Sequence, residues 1–423
     1  MRCNYACGTN EHLLSRRSML GGLAALTGAA ALAAPSPVLA ELQTKQKRIL
    51  NVFLHGGVSQ LESWDPKPNT DTGGPFRAIP TSVPGVHISE LLPFTAKQMH
   101  RLAIVRSIDS HNEDHGRGAI EMTTGRKQTP GIEYPHLGAV AAKMLTPETF
   151  PLPGHVLIRG AGNGSNPSAY LGPKYASLVL ADGKPPENID RLAALAADAD
   201  QRRQAFRIAA NDRFAGRRRT AETDAYMFSY EQAQQMMARK ELFDVAKEPA
   251  ADHDRYGKHE LGQHMLLARR MLEAGVPFVQ VNHSNYDSHF ENFDFHIEQL
   301  GEFDRPFATL VGDLADRGLL QDTLIVVMSE FGRTPRINKT YGRDHWGKAW
   351  SVCLGGAGIK PGAVIGKTND NGTEVTERSV DHGHLFHTML QAVGVNSKVE
   401  INLGGRGVTI ADPAKGPISE LIA

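Results

Sequence analysis

Six short apolar runs set the strongest limit on how this 423-residue chain can fold. The first, residues 48–54, reads Arg-Ile-Leu-Asn-Val-Phe-Leu and stops at His55-Gly56-Gly57. The others occupy residues 102–105, 155–158, 277–282, 323–328 and 351–354. A continuous apolar run ending in glycine or polar residues suits a strand buried on both faces, as in a parallel sheet. Between the runs, apolar residues recur at helical spacing. Leu261, Met265, Leu266, Ala268 and Leu272 mark residues 257–273. Phe295, Leu300, Phe303, Phe307, Leu310 and Leu314 mark 293–317. Leu385, Met389, Leu390 and Val393 mark 382–393. Strands alternating with helices predict an α/β fold around a mostly parallel sheet. Residues near 185–250 are charged and rich in Ala, Arg and Gln. They predict a solvated helical insertion, with Arg217 to Arg219 as an exposed basic face.

The amino-terminal forty residues read as an address. Ser15-Arg16-Arg17-Ser18-Met19-Leu20 precedes an apolar stretch over 21–34, and Val38-Leu39-Ala40 offers a small-x-small cleavage site. This pattern predicts a twin-arginine export signal over residues 1–40, removed to leave a mature domain of 41–423. The apolar stretch is short and Ala/Gly-rich, too weak for a spanning helix, so no stable membrane span is expected after cleavage. The expected location is the periplasm or beyond, and the first partner is the twin-arginine machinery. Loss of Arg2, Arg16, Arg17 and Glu11 leaves 43 basic and 45 acidic residues from an original 46 of each. That balance argues against nucleic acid as a partner. Cys3 and Cys7 go with the leader, so Cys353 stands alone and no intrachain disulfide is expected. The twin-arginine route carries folded proteins, often with a cofactor already loaded.

Ligands of open α/β sheets bind beyond the carboxyl ends of the strands. The polar clusters of this sequence fall there. His55-Gly56-Gly57-Val58-Ser59-Gln60, then Glu62 and Asp65, follow the first run. His111-Asn112-Glu113-Asp114-His115, then Thr124-Gly125-Arg126, follow the second. Asp287 and His289 follow the fourth, and Ser329-Glu330-Phe331-Gly332-Arg333 the fifth. Gly342-Arg343-Asp344-His345-Trp346 lies in a later loop. Carboxylates with imidazoles suit a divalent metal, zinc or manganese in preference to calcium. Arg126, Arg333 and Arg343 flank these clusters, and a guanidinium fork suits either an anionic ligand or a loop carboxylate.

The blocks Gly56 to Gln60 with Asp65-Pro66-Lys67-Pro68, Asp287-Ser288-His289, Ser329 to Pro335 and Gly342 to Trp346 resemble the DUF1501 family, exported sulfatase-like proteins. The resemblance runs from about Arg48 to the carboxyl terminus. That family in turn resembles the alkaline phosphatase superfamily, which includes sulfatases. The resemblance implies a three-layer α/β/α sandwich with a large mostly parallel sheet. It implies metal ligands at Asp287, His289 and His345, with Glu330 and Asp65 as further candidates. Phe331 departs from the pattern, standing where the superfamily places a metal-binding histidine. His115 also departs: it occupies the nucleophile position, ten residues before Gly125, where sulfatases carry cysteine or serine. His115 is left as nucleophile, base or ligand, or as part of a stretch that caps a helix starting near Gly116. Catalysis is expected of His115 or His111, and anion binding of Arg126 or Arg333.

The expected function is an exported metal-dependent hydrolase of phosphate or sulfate esters, acting on a small-molecule or carbohydrate ester. The alternative is a non-catalytic periplasmic or surface binding protein on a degenerate sulfatase fold. A Rossmann oxidoreductase is disfavoured: Gly355-Gly356-Ala357-Gly358 follows a strand, but no GxGxxG with a following helix is present. Substituting Lys for both Arg16 and Arg17 should leave the precursor uncleaved in the cytoplasm. Cell fractionation checks this, and normal processing of the double variant would remove the leader assignment.

Overall fold

A computed structural model describes residues 46–160, 166–218 and 221–423 of the chain. The leader expected over 1–40 lies outside the described residues. Eight strands form the main sheet: β1 Arg48–Leu54, β2 Leu102–Ile108, β3 His155–Arg159, β4 Leu178–Ala181, β5 Phe278–His283, β6 Thr323–Met328, β7 Trp350–Gly356 and β8 Val364–Ile365. Their spatial order is β8-β2-β7-β6-β1-β5-β3-β4. Every pairing is parallel except the two made by β7. Nine α-helices lie among the described residues: α1 Pro93–Gln98, α2 His115–Thr124, α3 Leu137–Leu145, α4 Ala197–Arg218, α5 Ala221–Ala238, α6 Ala250–Tyr256, α7 Glu260–Glu273, α8 Asn292–Asp316 and α9 His382–Ala392. No helix among the described residues is long and apolar enough to cross a membrane.

The layers follow from strand alternation. Leu50, Val52 and Leu54 of β1 join α7 and α8 in one core, with Met265, Leu272, Phe303 and Phe307 among its members. Ile49 and Phe53 point the other way, into a second core with Leu137 and Val140 of α3 and Leu385 and Met389 of α9. Successive side chains leave a strand on opposite faces, so one buried strand feeds both cores. The result is the expected α/β/α sandwich around a mostly parallel sheet.

β7 is antiparallel for a reason visible in the chain. Parallel neighbours need a crossover, usually a helix. Residues 329–349 contain no helix between β6 and β7. The chain therefore stays at the carboxyl end of β6 and re-enters the sheet from that edge, with Cys353 beside Val327 and Gly356 beside Leu324. The carboxyl ends of β1, β2, β5 and β6 and the start of β7 thus share one rim.

α9, which covers one face of the sheet, starts at a capping box. Asp381 Oδ1 accepts from the N–H groups of Gly383 and His384 at 3.0 and 3.2 Å, and His384 Nδ1 accepts from the Asp381 N–H at 3.2 Å. Burial works to raise the Asp381 pKa, but Lys415 and the cap hydrogen bonds outweigh it and hold it at about 2, below the ordinary 3.8. The ionised carboxylate therefore favours the folded chain above the ordinary value, and that contribution fades as pH falls toward the folded value. Asp381→Ala should cost about 1 kcal/mol near neutral pH. Thermal unfolding should show the gap between variant and parent closing between about pH 4 and pH 2.

Candidate active site

The rim gathers side chains from four segments. Asp287 and His289 lie on the loop after β5, Glu330 directly after β6, and His345 in a two-residue strand, His345–Trp346, that pairs with Gly332–Arg333 on the way into β7. His115 is the first residue of α2, reached from β2. Asp114 caps that helix, accepting from the Arg117 N–H at 2.8 Å. Capping and placement of His115 are therefore one event: the stretch before Gly116 caps a helix and also aims an imidazole at the rim.

Asp287 is the centre. His115 Nε2 stands 3.3 Å from its Oδ2. His345 Nε2 and His289 Nε2 stand 3.2 and 3.1 Å from its Oδ1, and the two imidazole nitrogens are 3.0 Å apart. Each ring is fixed at its other nitrogen. His115 Nδ1 is 2.7 Å from Glu330 Oε1, and His289 Nδ1 is 2.8 Å from Asp344 Oδ1. His345 Nδ1 donates to the Glu113 carbonyl at 2.7 Å. One nitrogen tied to a carboxylate or carbonyl and the other turned inward is how metal-binding histidines are oriented. Ligand atoms of His115, Asp287 and His345 lie within 4.8 Å of one another, so this donor set fits one divalent ion.

Glu330 sits one step out. Its Oε1 also accepts the Gly56 N–H at 2.8 Å, and Ser329 Oγ lies 2.9 Å from Oε2. Burial alone would raise its pKa, yet the His115 hydrogen bond and the nearby His55 hold it below the usual carboxylate range. In return, the Glu330 hydrogen bond raises the His115 pKa against burial. Phe331, where a ligand histidine stands in the superfamily pattern, is fully buried. Its ring packs 4.8 Å from that of His115 and 4.4 Å from that of His345, giving them an apolar wall.

Arg333 braces the whole rim. Its Nε donates to the Gly57 carbonyl at 2.9 Å and its Nη1 to the Arg343 carbonyl at 3.0 Å. Its Nη2 donates to the Gly56 carbonyl and to Asp287 Oδ1, the latter at 2.5 Å. Burial works to raise the Asp287 pKa, but Arg333 and the flanking histidines hold it at about 2. The loop fits this brace only because residue 56 is glycine. Its φ is +110°, and a Cβ there would lie 2.5 Å from the Asp287 nitrogen.

Other expected residues are placed elsewhere. Asp65 is buried with Lys67 at 3.1 Å and Arg106 at 3.5 Å, and accepts from Thr368 Oγ1 at 2.5 Å. His111 is largely exposed and pairs with Asp109 at 3.1 Å. Arg126 donates to the Thr409 and Ala411 carbonyls and lies over Tyr134. Arg343 is buried, bidentate to Glu62 at 2.7 and 3.0 Å. Asp344 and the Glu113 carbonyl were missed. Asp344 could have been found as the carboxylate next to His345. The carbonyl has no sequence signal.

The family described as "Protein of unknown function (DUF1501)" matches residues 46–422. No curated protein matches the chain. Among solved structures, a protein in the alkaline phosphatase superfamily from Vibrio parahaemolyticus is 11% identical with a TM-score of 0.41, covering 86% of this chain and 76% of its own. A sulfatase from Pseudoalteromonas sp. is 13% identical with a TM-score of 0.41, covering 90% and 77%. A phosphonate monoester hydrolase from Silicibacter pomeroyi is 14% identical with a TM-score of 0.34, covering 85% and 77%.

Arg333→Ala should destabilise the fold by about 3 kcal/mol, because Asp287 and three carbonyls lose a buried donor. Arg333→Lys should recover little, since an ammonium cannot reproduce a planar fork. Denaturant unfolding of both variants checks this, and full recovery in the lysine variant would count against the brace.

Proposed function

The chain belongs to the DUF1501 family, and from that premise we propose that it is an exported metal-dependent hydrolase of phosphate or sulfate esters. The observation that carries this is the convergence of three imidazole Nε2 atoms on Asp287, each ring tied at its other nitrogen. His115, Asp287 and His345 would hold the ion. A bound zinc or manganese would polarise the ester oxygen and make water acidic enough to attack near neutral pH.

The chain's own residues supply the remaining work. Glu330 orients His115 from below and strengthens its basicity. Asp344 fixes the ring of His289, whose Nε2 faces the cluster, so this pair can accept a proton at Nε2 and return it to the leaving alcohol. The amino end of α2 carries His115, and the partial positive charge of a helix start favours an anionic ester beside it. Arg333 holds Asp287 in place and has four of its five N–H donors committed, so it acts as a positioning residue. The leader sequence supports twin-arginine export of the folded, loaded protein to the periplasm.

A second reading, a binding protein without turnover, is favoured by Phe331 and by the lack of a hydroxyl or thiol nucleophile at His115. One set of variants separates the two. Asp287→Ala, His345→Ala and His115→Ala should each lower metal content, by elemental analysis, and hydrolysis of 4-nitrophenyl phosphate or sulfate together. His289→Ala should keep the metal and lose about a hundredfold in turnover. Metal without turnover of any ester in the parent protein would favour the binding reading. Full metal occupancy in the first three variants would overturn the metal site.

A further inference from the structure

Tyr341 stands where a tyrosine is least at home. Its φ is +58°, and the nearby Glu291 has φ +47°. A bulky residue in the left-handed region is strained, where glycine or asparagine would sit at little cost. Burial does not repay that strain, since Tyr341 is 68% exposed. Phe290 lies directly opposite it in an isolated antiparallel bridge and is 54% exposed. Residues directly opposite each other carry their side chains on the same face. Phe295 packs edge-on against Phe290, with ring centroids 5.5 Å apart, and steadies it. Two aromatic side chains thus share one open face.

The backbone that holds this pair also holds the cluster around Asp287. Phe290 follows His289, whose Nε2 stands 3.1 Å from Asp287 Oδ1. Asn338 Nδ2 donates to the His289 carbonyl at 2.9 Å and to Asp344 Oδ1 at 3.1 Å. Thr340 Oγ1 donates to the same carbonyl at 2.7 Å. The Asn292 N–H, at the start of α8, donates to the Tyr341 carbonyl at 3.0 Å. Gly342 permits this approach, because a Cβ there would overlap the His289 carbonyl. Strained backbone tied this closely, at an exposed position, points to ligand binding. Consecutive Cα atoms are about 3.8 Å apart, so a ring carried on the bridging oxygen of an ester at the cluster can reach the pair.

The pair offers ring faces. An arene stacks offset or edge-on against such rings and needs no hydrogen bond to do so. A sugar would also need partners for its hydroxyls. Asn338 and Thr340, polar side chains of the same loop, are already committed to the His289 carbonyl. We propose that Phe290 and Tyr341 form the subsite for the aromatic ring of an aryl phosphate or sulfate ester, an inference that rests on the hydrolase reading above.

The test uses unhydrolysable isosteres and the mature chain loaded with zinc or manganese. Calorimetry compares benzylphosphonate, ethylphosphonate and the 6-phosphonate isostere of glucose 6-phosphate. Benzylphosphonate should bind about tenfold more tightly than the other two. Tyr341→Asn and Phe290→Ser should each abolish that advantage. Tyr341→Asn relieves the backbone strain, so it should also unfold at the parent's temperature or above. A chelator-treated sample with benzyl alcohol, followed by saturation-transfer NMR, separates the two readings. If no phosphonate binds, but transfer to benzyl alcohol is seen and is lost in either folded variant, the subsite stands and the metal-dependent reading fails. Equal binding of the three phosphonates, tighter binding of the glucose isostere, or an advantage that survives in both variants overturns the subsite. So does a lower unfolding temperature for Tyr341→Asn, or, where no phosphonate binds, benzyl alcohol transfer that is absent or unchanged in both variants.

Discussion

One buried guanidinium organises the rim. Arg333 reaches the loop after β1 through the Gly56 and Gly57 carbonyls, the loop after β5 through Asp287, and its own excursion through the Arg343 carbonyl. A buried cation persists only when paired and fully hydrogen-bonded. Its cost therefore acts as a geometric demand: three loops must close on it together. Asp287 is held by that demand, and the three imidazoles are in turn arranged around Asp287. Arg343, bidentate to Glu62, repeats the device one layer away and ties the same excursion to the loop after β1.

The electrostatic outcome is a centre with graded roles. Asp287 stays ionised because cationic and hydrogen-bonding groups outweigh its burial. Glu330, more deeply buried, stays low because His115 and His55 face it. The carboxylate at the centre and the carboxylate behind His115 thus face the same imidazole from opposite nitrogens. The first is half open to solvent, and the second, buried, sets the tautomer and aim of the ring.

The central strands were legible because each is a continuous apolar run. β4 and β8 were not: β4 is half-buried and β8 has two residues. β2 runs on to Ile108 past Arg106 and Ser107, which break the apolar pattern but find distant partners in the Trp64 and Arg378 carbonyls. Within the rim, motif resemblance pointed to Asp287, His289 and His345, which the fold brings together. It also grouped Asp65 with them, where Lys67 and Arg106 draw that carboxylate into an ion pair instead. Arg333 was visible as a residue type, but its task depends on carbonyls more than two hundred residues away.

The position of β1 has a consequence for when the protein can become itself. This first strand lies in the middle of the sheet, between β5 and β6. Asn51 waits for Gln280, 229 residues later, and Leu54 for Ser329, 275 residues later. A chain emerging from the ribosome must therefore hold β1 unpaired until β5, which ends at His283 of 423 residues, about two thirds of the way along, has been made. Contacts so far apart in sequence form slowly, because loop closure is paid for before packing rewards it. The amino-terminal end is exposed to the cell for that whole interval, while the segment beside it has no native partner. Synthesis of His345 is thus the earliest moment at which the rim can close, and a chain ending before Arg333 would lack both that guanidinium with its contacts and the imidazole at 345.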